Sequence, residues 1–164
     1  MVYLKRLSPK DGLEIYEMLQ EILPNDNGFH NKVCGATFDE YRIWLNNEYE
    51  VDNGRLEDWM VPQSSFWLYD GNIPVGYGRI RHKLNENLEK TSGHIGYAIR
   101  RTFRQRGYGN KILKLLLDEC KKIGLVSIQI SANENNIPSN KVILNNGGKF
   151  TRLENGKNFY KIEI

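Results

Sequence analysis

Ile112, Leu113, Leu116, Leu117, Cys120 and Ile123 recur at helical spacing between polar positions. They predict an amphipathic helix from Asn110 to Ile123, closed by Gly124. Leu13, Ile15, Tyr16, Leu19, Ile22 and Leu23 predict an earlier helix, stopped by the run Pro24 to Gly28. Thr37, followed three residues later by Glu40, reads as a capping box for a second helix carrying Phe38, Tyr41, Trp44, Leu45 and Tyr49. A short helix is expected from Ile137-Pro138-Ser139 through Val142 and Ile143, ending at Asn145 to Gly148. Alternating or β-rich runs predict strands at Val2 to Leu7, Ser65 to Tyr69, Ile73 to Leu84, Gly93 to Ile99, Leu125 to Ile130, Phe150 to Leu153 and Phe159 to Ile164. Asp70-Gly71-Asn72 and Asn155-Gly156 mark hairpin turns. Phe29 to Ala36 reads as irregular, and Asn85 to Ser92 as a polar connection.

Period-2 alternation assigns faces within these strands. Val75, Tyr77, Arg79 and Arg81 share one face, with Gly76, Gly78, Ile80 and His82 on the other. Ile95, Tyr97 and Ile99 oppose His94, Gly96 and Ala98, and Val126, Ile128 and Ile130 fall together. The order β-α-α-β-β-β-α-β-α-β-β predicts an α/β (α+β) fold. Its centre is a mixed, mostly antiparallel sheet of about seven strands flanked by about four helices.

Composition narrows the picture without redirecting it. A chain of 164 residues, 40% hydrophobic and 26% charged, is expected to form one domain, residues 1–164, with a core that needs neither disulfide nor metal. The net charge of +3 does not call for a nucleic-acid partner. Cys34 and Cys120 are too far apart in sequence to suggest a disulfide framework or a zinc site. The N-terminal residues do not form a secretion signal, and no apolar run could span a bilayer, so the expected location is the cytoplasm, without a membrane partner. Whether the chain is a monomer or a homodimer is left open.

The candidate chemistry gathers between the strand ending at Ile99 and the helix starting near Asn110. Arg104-Gln105-Arg106-Gly107-Tyr108-Gly109 places basic residues and two glycines at a helix start. Unpaired N–H groups and the positive end of the helix dipole attract anions there, and glycine removes side chains that would hold an anion off the backbone. The loop is therefore read as a phosphate or pyrophosphate site. A basic surface loop that only caps a helix is the plainer alternative.

The run Gly93 to Leu117 resembles the acyl-CoA-binding core of the GCN5-related N-acetyltransferases (GNAT), whose pyrophosphate loop follows Arg/Gln-x-x-Gly-x-Gly/Ala. The element order agrees with that fold along the whole chain. The chain also resembles a bacterial branch of predicted acetyltransferases, through Arg81-His82-Lys83-Leu84-Asn85, Gly93-His94-Ile95-Gly96-Tyr97, and Asn136 to Ile143 followed by Asn146-Gly147-Gly148. The resemblance implies acetyl-CoA as co-substrate, with no metal. It implies that the backbone of Arg104, Gln105, Arg106, Gly107, Tyr108 and Gly109 holds the pyrophosphate, and that the edge of Tyr97, Ala98 and Ile99 pairs with the pantetheine arm. A V-shaped opening beside that strand would admit the thioester, and Asn136 and Ser139 would touch the CoA.

His94 and Tyr97 are the candidate catalytic residues. His94 suits a general base near neutral pH, and suits equally a packed strand residue. Arg81 and His82 could orient a substrate carboxylate, or could be rim charges. Ile143 departs from the family pattern, because many of these enzymes carry near it a tyrosine that protonates the leaving thiolate. Tyr97, Tyr108 or water could substitute. The expected reaction is acetyl transfer from acetyl-CoA to a primary amine of a small molecule or peptide, by direct attack in a ternary complex. The alternative is an acyl-CoA-binding sensor without turnover.

Overall fold

A computed structural model describes residues 1–164. Strand β1 (Val2–Arg6) leads to α1 (Leu13–Gln20), a small hairpin of β2 (Asn25–Asp26) and β3 (Phe29–His30), and α2 (Phe38–Asp52). The long hairpin β4 (Gln63–Asp70) and β5 (Ile73–Arg81) follows, then α3 (Glu86–Thr91) and β6 (Ile95–Ile99). A 3₁₀ turn at Arg101–Phe103 precedes α4 (Tyr108–Lys122), β7 (Ser127–Asn133), α5 (Ile137–Asn145), β8 (Lys149–Glu154) and β9 (Lys157–Glu163). No helix is long and apolar enough to cross a membrane.

The expected central sheet is divided. A four-stranded sheet runs β1-β4-β5-β6, a three-stranded sheet runs β7-β9-β8, and every pairing is antiparallel. Two apolar clusters cover the two faces of the larger sheet. On one side α4 and α5 pack Ile112, Leu113, Leu116 and Ile143 against Leu68, Ile80, Ile95, Ile128 and Ile130. On the other, α1 and α2 pack Ile15, Leu19, Tyr41 and Leu45 against Trp67, Tyr77 and Ala98. The indole of Trp67 is buried and donates from Nε1 to Asp11 Oδ2 at 2.7 Å, so its polar edge is satisfied. A Cβ on Gly78 would stand 2.9 Å from Leu116 Cδ1. The bare backbone of β5 is thus what lets α4 lie close to the sheet.

The pattern reads through to the structure at most elements, and its departures have local causes. The capping box forms: Glu40 N–H donates to Thr37 Oγ1 at 3.2 Å and Thr37 N–H to Glu40 Oε1 at 3.1 Å. Residues 86–91, read as a connection, form α3 because Asn85 Oδ1 accepts from Leu88 N–H. Asn27-Gly28, read as a helix stop, is the left-handed turn (φ 52° and 91°) of the β2–β3 hairpin. Val75 joins Leu68 and Ile80 on the α4 side, instead of facing with Tyr77. The β4–β5 register slips between Leu68 and Tyr69, and such a bulge leaves two neighbouring residues on one face. Val126 precedes β7 and is 71% exposed, while Ile128, Ile130 and Ala132 form its buried face.

Candidate active site

The two sheets part after one point of attachment. His94 N–H donates to Gln129 O at 2.8 Å, and Gln129 N–H donates to His94 Nδ1 at 3.0 Å. Gly93 permits this approach, since a Cβ there would lie 2.4 Å from Gln129 O. Gln129 is held in turn by Nε2 bonds to Glu89 O and Ser92 O. Beyond this stitch β6 and β7 diverge around a cleft of about 540 Å³. Its walls come from β6, β7, α5, the β2–β3 hairpin and the loop before α4.

The divergence leaves β6 with a free edge. Arg81 N–H reaches His94 O and Arg100 N–H reaches Val75 O, so alternate residues of β6 bond inward to β5. Ile95, Tyr97 and Ile99 therefore turn their backbone N–H and C=O groups toward the cleft, where the Ile99 carbonyl is already taken by Arg104 Nε. The Tyr97, Ala98 and Ile99 edge expected for a pantetheine arm lines the opening.

The loop is built to expose backbone donors. Gln105 and Gly107 adopt left-handed conformations, φ 63° and 82°. Gly107 is the N-cap of α4 and offers no side chain to cap it. No backbone N–H from Gln105 to Asn110 donates to a group in the chain; the first bond of the turn is Lys111 N–H to Gly107 O. Left-handed residues followed by a helix start make a concave nest of N–H groups, the arrangement that binds oxyanions. Gly109 packs tightly beneath, where a Cβ would sit 3.2 Å from Val142 Cγ2.

Most of the arginine side chains have other work. Arg100 pairs with Glu21, whose Oε1 also accepts from the Thr102 hydroxyl at 2.8 Å, tying the end of α1 to the turn ahead of the loop. Burial raises the Glu21 pKa, but the bonds from Thr102 and Arg100 outweigh it and the carboxyl ends below its ordinary value. Arg104 donates to Ile99 O at 3.1 Å and clamps Asp26 of the β2–β3 hairpin at 2.5 Å. The Arg106 guanidinium lies over the Phe103 ring and does not line the cleft. Of the Arg104–Gly109 set, the backbone N–H groups are thus the free donors, and the Arg104 and Arg106 side chains are engaged elsewhere.

The remaining candidates separate by placement. Tyr97 lines the cleft, and its hydroxyl is buried without a hydrogen-bond partner. Burial pushes the phenol up to about 12, while Ser139 beside it pulls slightly the other way. Asn136 and Ser139 also line the cleft, with Asn136 capping α5. Ile143 is buried in the same wall and supplies no proton. The Tyr108 hydroxyl points out to Asp70, so it cannot serve as the substitute acid.

His94 is not among the cleft residues. Its Nδ1 is engaged by Gln129, and burial together with Arg81 lowers its pKa. The paired bonds to Gln129 make it the fastener of the two sheets, outside the cleft. His82 likewise faces away from the cleft and shares a 2.7 Å hydrogen bond with Ser64 Oγ. Arg81 does line the cleft.

The cleft also holds residues that the sequence pattern did not single out for it: Phe29 and His30 from the hairpin, Arg79 from β5 and Lys157 from β9. Phe29 lies over Gly96, where a Cβ would be 3.3 Å from its ring, and packs edge-on to Tyr77. The available signal was the Asn27-Gly28 turn, which announces a hairpin that must pack on something. No cysteine lines the cleft: Cys34 lies elsewhere, and Cys120 is buried in the α4 face with its thiol pushed up to about 12 by burial.

Residues 15–147 match the family model described as Acetyltransferase (GNAT) family. No curated protein sequence matches the chain. Its fold is similar to that of a Salmonella typhimurium acetyl transferase that modifies the N-terminal serine of ribosomal protein L7/L12 (TM-score 0.69, 15% identity, 99% of this chain and 95% of that one). It is similar also to Campylobacter jejuni N-acetyltransferase PseH in complex with acetyl coenzyme A (TM-score 0.67, 10% identity, 99% of each chain). A third likeness is to the microcin C7 self-immunity acetyltransferase MccE in complex with acetyl-CoA and AMP (TM-score 0.71, 14% identity, 99% of this chain and 92% of that one). At these identities the likeness is one of fold.

Proposed function

Because the chain belongs to the acetyltransferase (GNAT) family, we propose that it moves an acetyl group from acetyl-CoA to a primary amine by direct attack in a ternary complex. One observation carries the reading: the unpaired N–H groups of residues 105–110 and the free edge of β6 open into the same cleft. The nest takes the pyrophosphate and the strand edge takes the amide-bearing arm. These two demands are met together by a CoA thioester and not by a bare phosphate.

In this reading the amine nitrogen attacks the thioester carbonyl carbon, the carbon–sulfur bond breaks, and the sulfur leaves with the electron pair. Backbone N–H groups on the β6 edge stabilise the oxyanion that forms on the way, usually the largest electrostatic contribution. Tyr97 holds its proton at about 12, well above the thiol range near 8.5. It therefore steadies the departing thiolate as a hydrogen-bond donor and keeps its own proton. His30, the only imidazole lining the cleft, is exposed and takes the proton released by the amine toward solvent. With no cysteine in the cleft, a thioester on the enzyme has no residue to form on.

The test is thermal unfolding with acetyl-CoA, longer acyl-CoAs, ATP and NAD, followed by release of free CoA across an amine panel. Acetyl-CoA at a hundred times Kd should stabilise the fold by about 2.7 kcal/mol. No shift up to millimolar acetyl-CoA would sink the reading. Tight binding with no turnover across a broad panel would instead identify a sensor of acyl-CoA.

A further inference from the structure

We propose that the acceptor amine carries its own oxyanion, a carboxylate or a phosphate, and that Arg79 and Arg81 hold it. The proposal rests on the acetyl-transfer reading and names the acceptor class for the same cleft.

The charges around the cleft are one-sided. Asp26 is the only acidic residue that lines it, and Arg104 already clamps that carboxylate. Arg79, Arg81 and Lys157 line it as well. In the β5–β6 ladder Arg79 pairs with Gly96, and Arg81 N–H bonds to His94 O. They therefore lie at the opposite end of β6 from Ile99 and the nest, so the CoA phosphates do not account for them.

Neither arginine is fully answered by the chain. Arg79 donates from Nη2 to the Tyr77 hydroxyl at 2.8 Å, and Glu48 stands 3.7 Å away, while its Nε is buried with no partner. Glu48 is itself shared, because Gln63 Nε2 donates to it at 3.4 Å. Arg81 has no carboxylate within ion-pair reach; its Nη1 donates to Ser92 Oγ at 3.0 Å and Gly93 O at 2.9 Å. Its Nε and Nη2 donate to nothing in the chain, and burial together with Arg79 brings its pKa down to about 10. Lys157 reaches only Thr91 O. Arg79 has Glu48 as its counter-ion, but Arg81 is desolvated beside Arg79 with no carboxylate of its own, an arrangement that is unfavourable until an anion arrives. The planar guanidinium fork fits carboxylate and phosphate in two-pronged geometry.

The competing account is that Arg81 and Lys157 merely tie down residues 91–93, while Arg79 serves only Tyr77 and Glu48. It explains Nη1 of Arg81, but not its remaining donors or the buried Nε of Arg79.

Matched acceptors decide between the two. Each L-amino acid is compared with its C-terminal amide, and phosphoethanolamine with ethanolamine, by release of free CoA from acetyl-CoA. The amide's amine is the less basic and more often deprotonated, so preference for the acid would run against intrinsic reactivity. At least one anionic acceptor should exceed its neutral partner in kcat/KM by about tenfold or more. Arg81→Gln should collapse that ratio toward one, mainly through KM, with Arg81→Lys intermediate and the acetyl-CoA thermal shift retained. The amino-acid and phosphoethanolamine arms tell carboxylate from phosphate. If acetyl-CoA stabilises the protein yet no anionic acceptor outperforms its neutral partner, or Arg81→Gln lowers both members equally, the proposal is overturned and the transfer reading stands. If acetyl-CoA gives no shift, the transfer reading falls and this proposal falls with it.

Discussion

Gly107 and Gly109 stand two residues apart and are glycine for different reasons. Gly107 has φ 82° with open space around it, so a side chain there meets backbone strain and no clash. Gly109 has an ordinary φ, and a Cβ would press on Val142. Gly107→Ala should therefore cost about 1–3 kcal/mol in urea unfolding through strain and distort the nest. Gly109→Val should push α5 away from α4 and abolish the acetyl-CoA thermal shift in a protein that still unfolds cooperatively. Retention of the full shift in both variants would show that the loop is not the anion site.

The histidines give a pH signature at the same scale. Burial lowers the pKa of both His94 and His82 from the ordinary histidine value of about 6.5. Below pH 6.5 the unfolded chain takes up protons that these side chains in the folded protein refuse. Their contribution to stability is thus complete above pH 6.5 and declines as pH falls toward their folded-state values. Urea midpoints measured from pH 8 to pH 5 should fall over that window, and His94→Gln should flatten the slope. An unchanged slope in the variant would mean that His94 is not desolvated.

At the scale of elements, caps and clasps set how the cleft walls are held. The Thr37–Glu40 box starts α2, which carries Glu48 toward Arg79. Thr37→Ala should destabilise the protein by about 1 kcal/mol, seen as a lower melting temperature, while the acetyl-CoA affinity measured by calorimetry stays the same. The β2–β3 hairpin behaves differently. Its strands are two residues long, and it is held down by Phe29 over Gly96 and by the Arg104–Asp26 pair. Two-residue strands have little independent stability. Asp26→Ala should leave the melting temperature within about 1 kcal/mol equivalent of the parent, yet raise KM for the acceptor, because Phe29 and His30 lose their anchor.

The legibility of these elements followed the same division. α4 and the capped start of α2 were visible because periodicity and capping are local. α3 and the β2–β3 hairpin were not, since six helical residues and two-residue strands contain too little of either period. The reversed face of Val75 depends on register against β4, which no property of β5 alone declares.

For the whole molecule, the decisive feature is that the sheets are joined at His94–Gln129 and part beyond it. Gly93→Ala would drive a methyl into the Gln129 carbonyl, which must move. Overpacking of this kind typically costs about 1–3 kcal/mol. Because the strain lies at the apex of the cleft, the variant should also weaken acetyl-CoA binding, and thermal unfolding with and without acetyl-CoA reads both effects. A stable variant with normal binding would place the hinge of the cleft elsewhere.

The sequence alone determined the longer helices and strands in their order, the glycine-containing loop before α4 and the faces of β6, all of which depend on neighbours a few residues apart. The tertiary structure decided which chemistry those residues can perform. It turned His94 into a fastener, because its imidazole nitrogen meets a backbone N–H of residue 129 that is distant in sequence. It engaged the Arg104 and Arg106 side chains with Asp26 and Phe103 and left the backbone N–H groups of the loop unpaired. It also brought His30 of β3, Arg79 and Arg81 of β5, and Lys157 of β9 around one cleft. Strand spacing and desolvation made that grouping, and both exist only once the chain has folded.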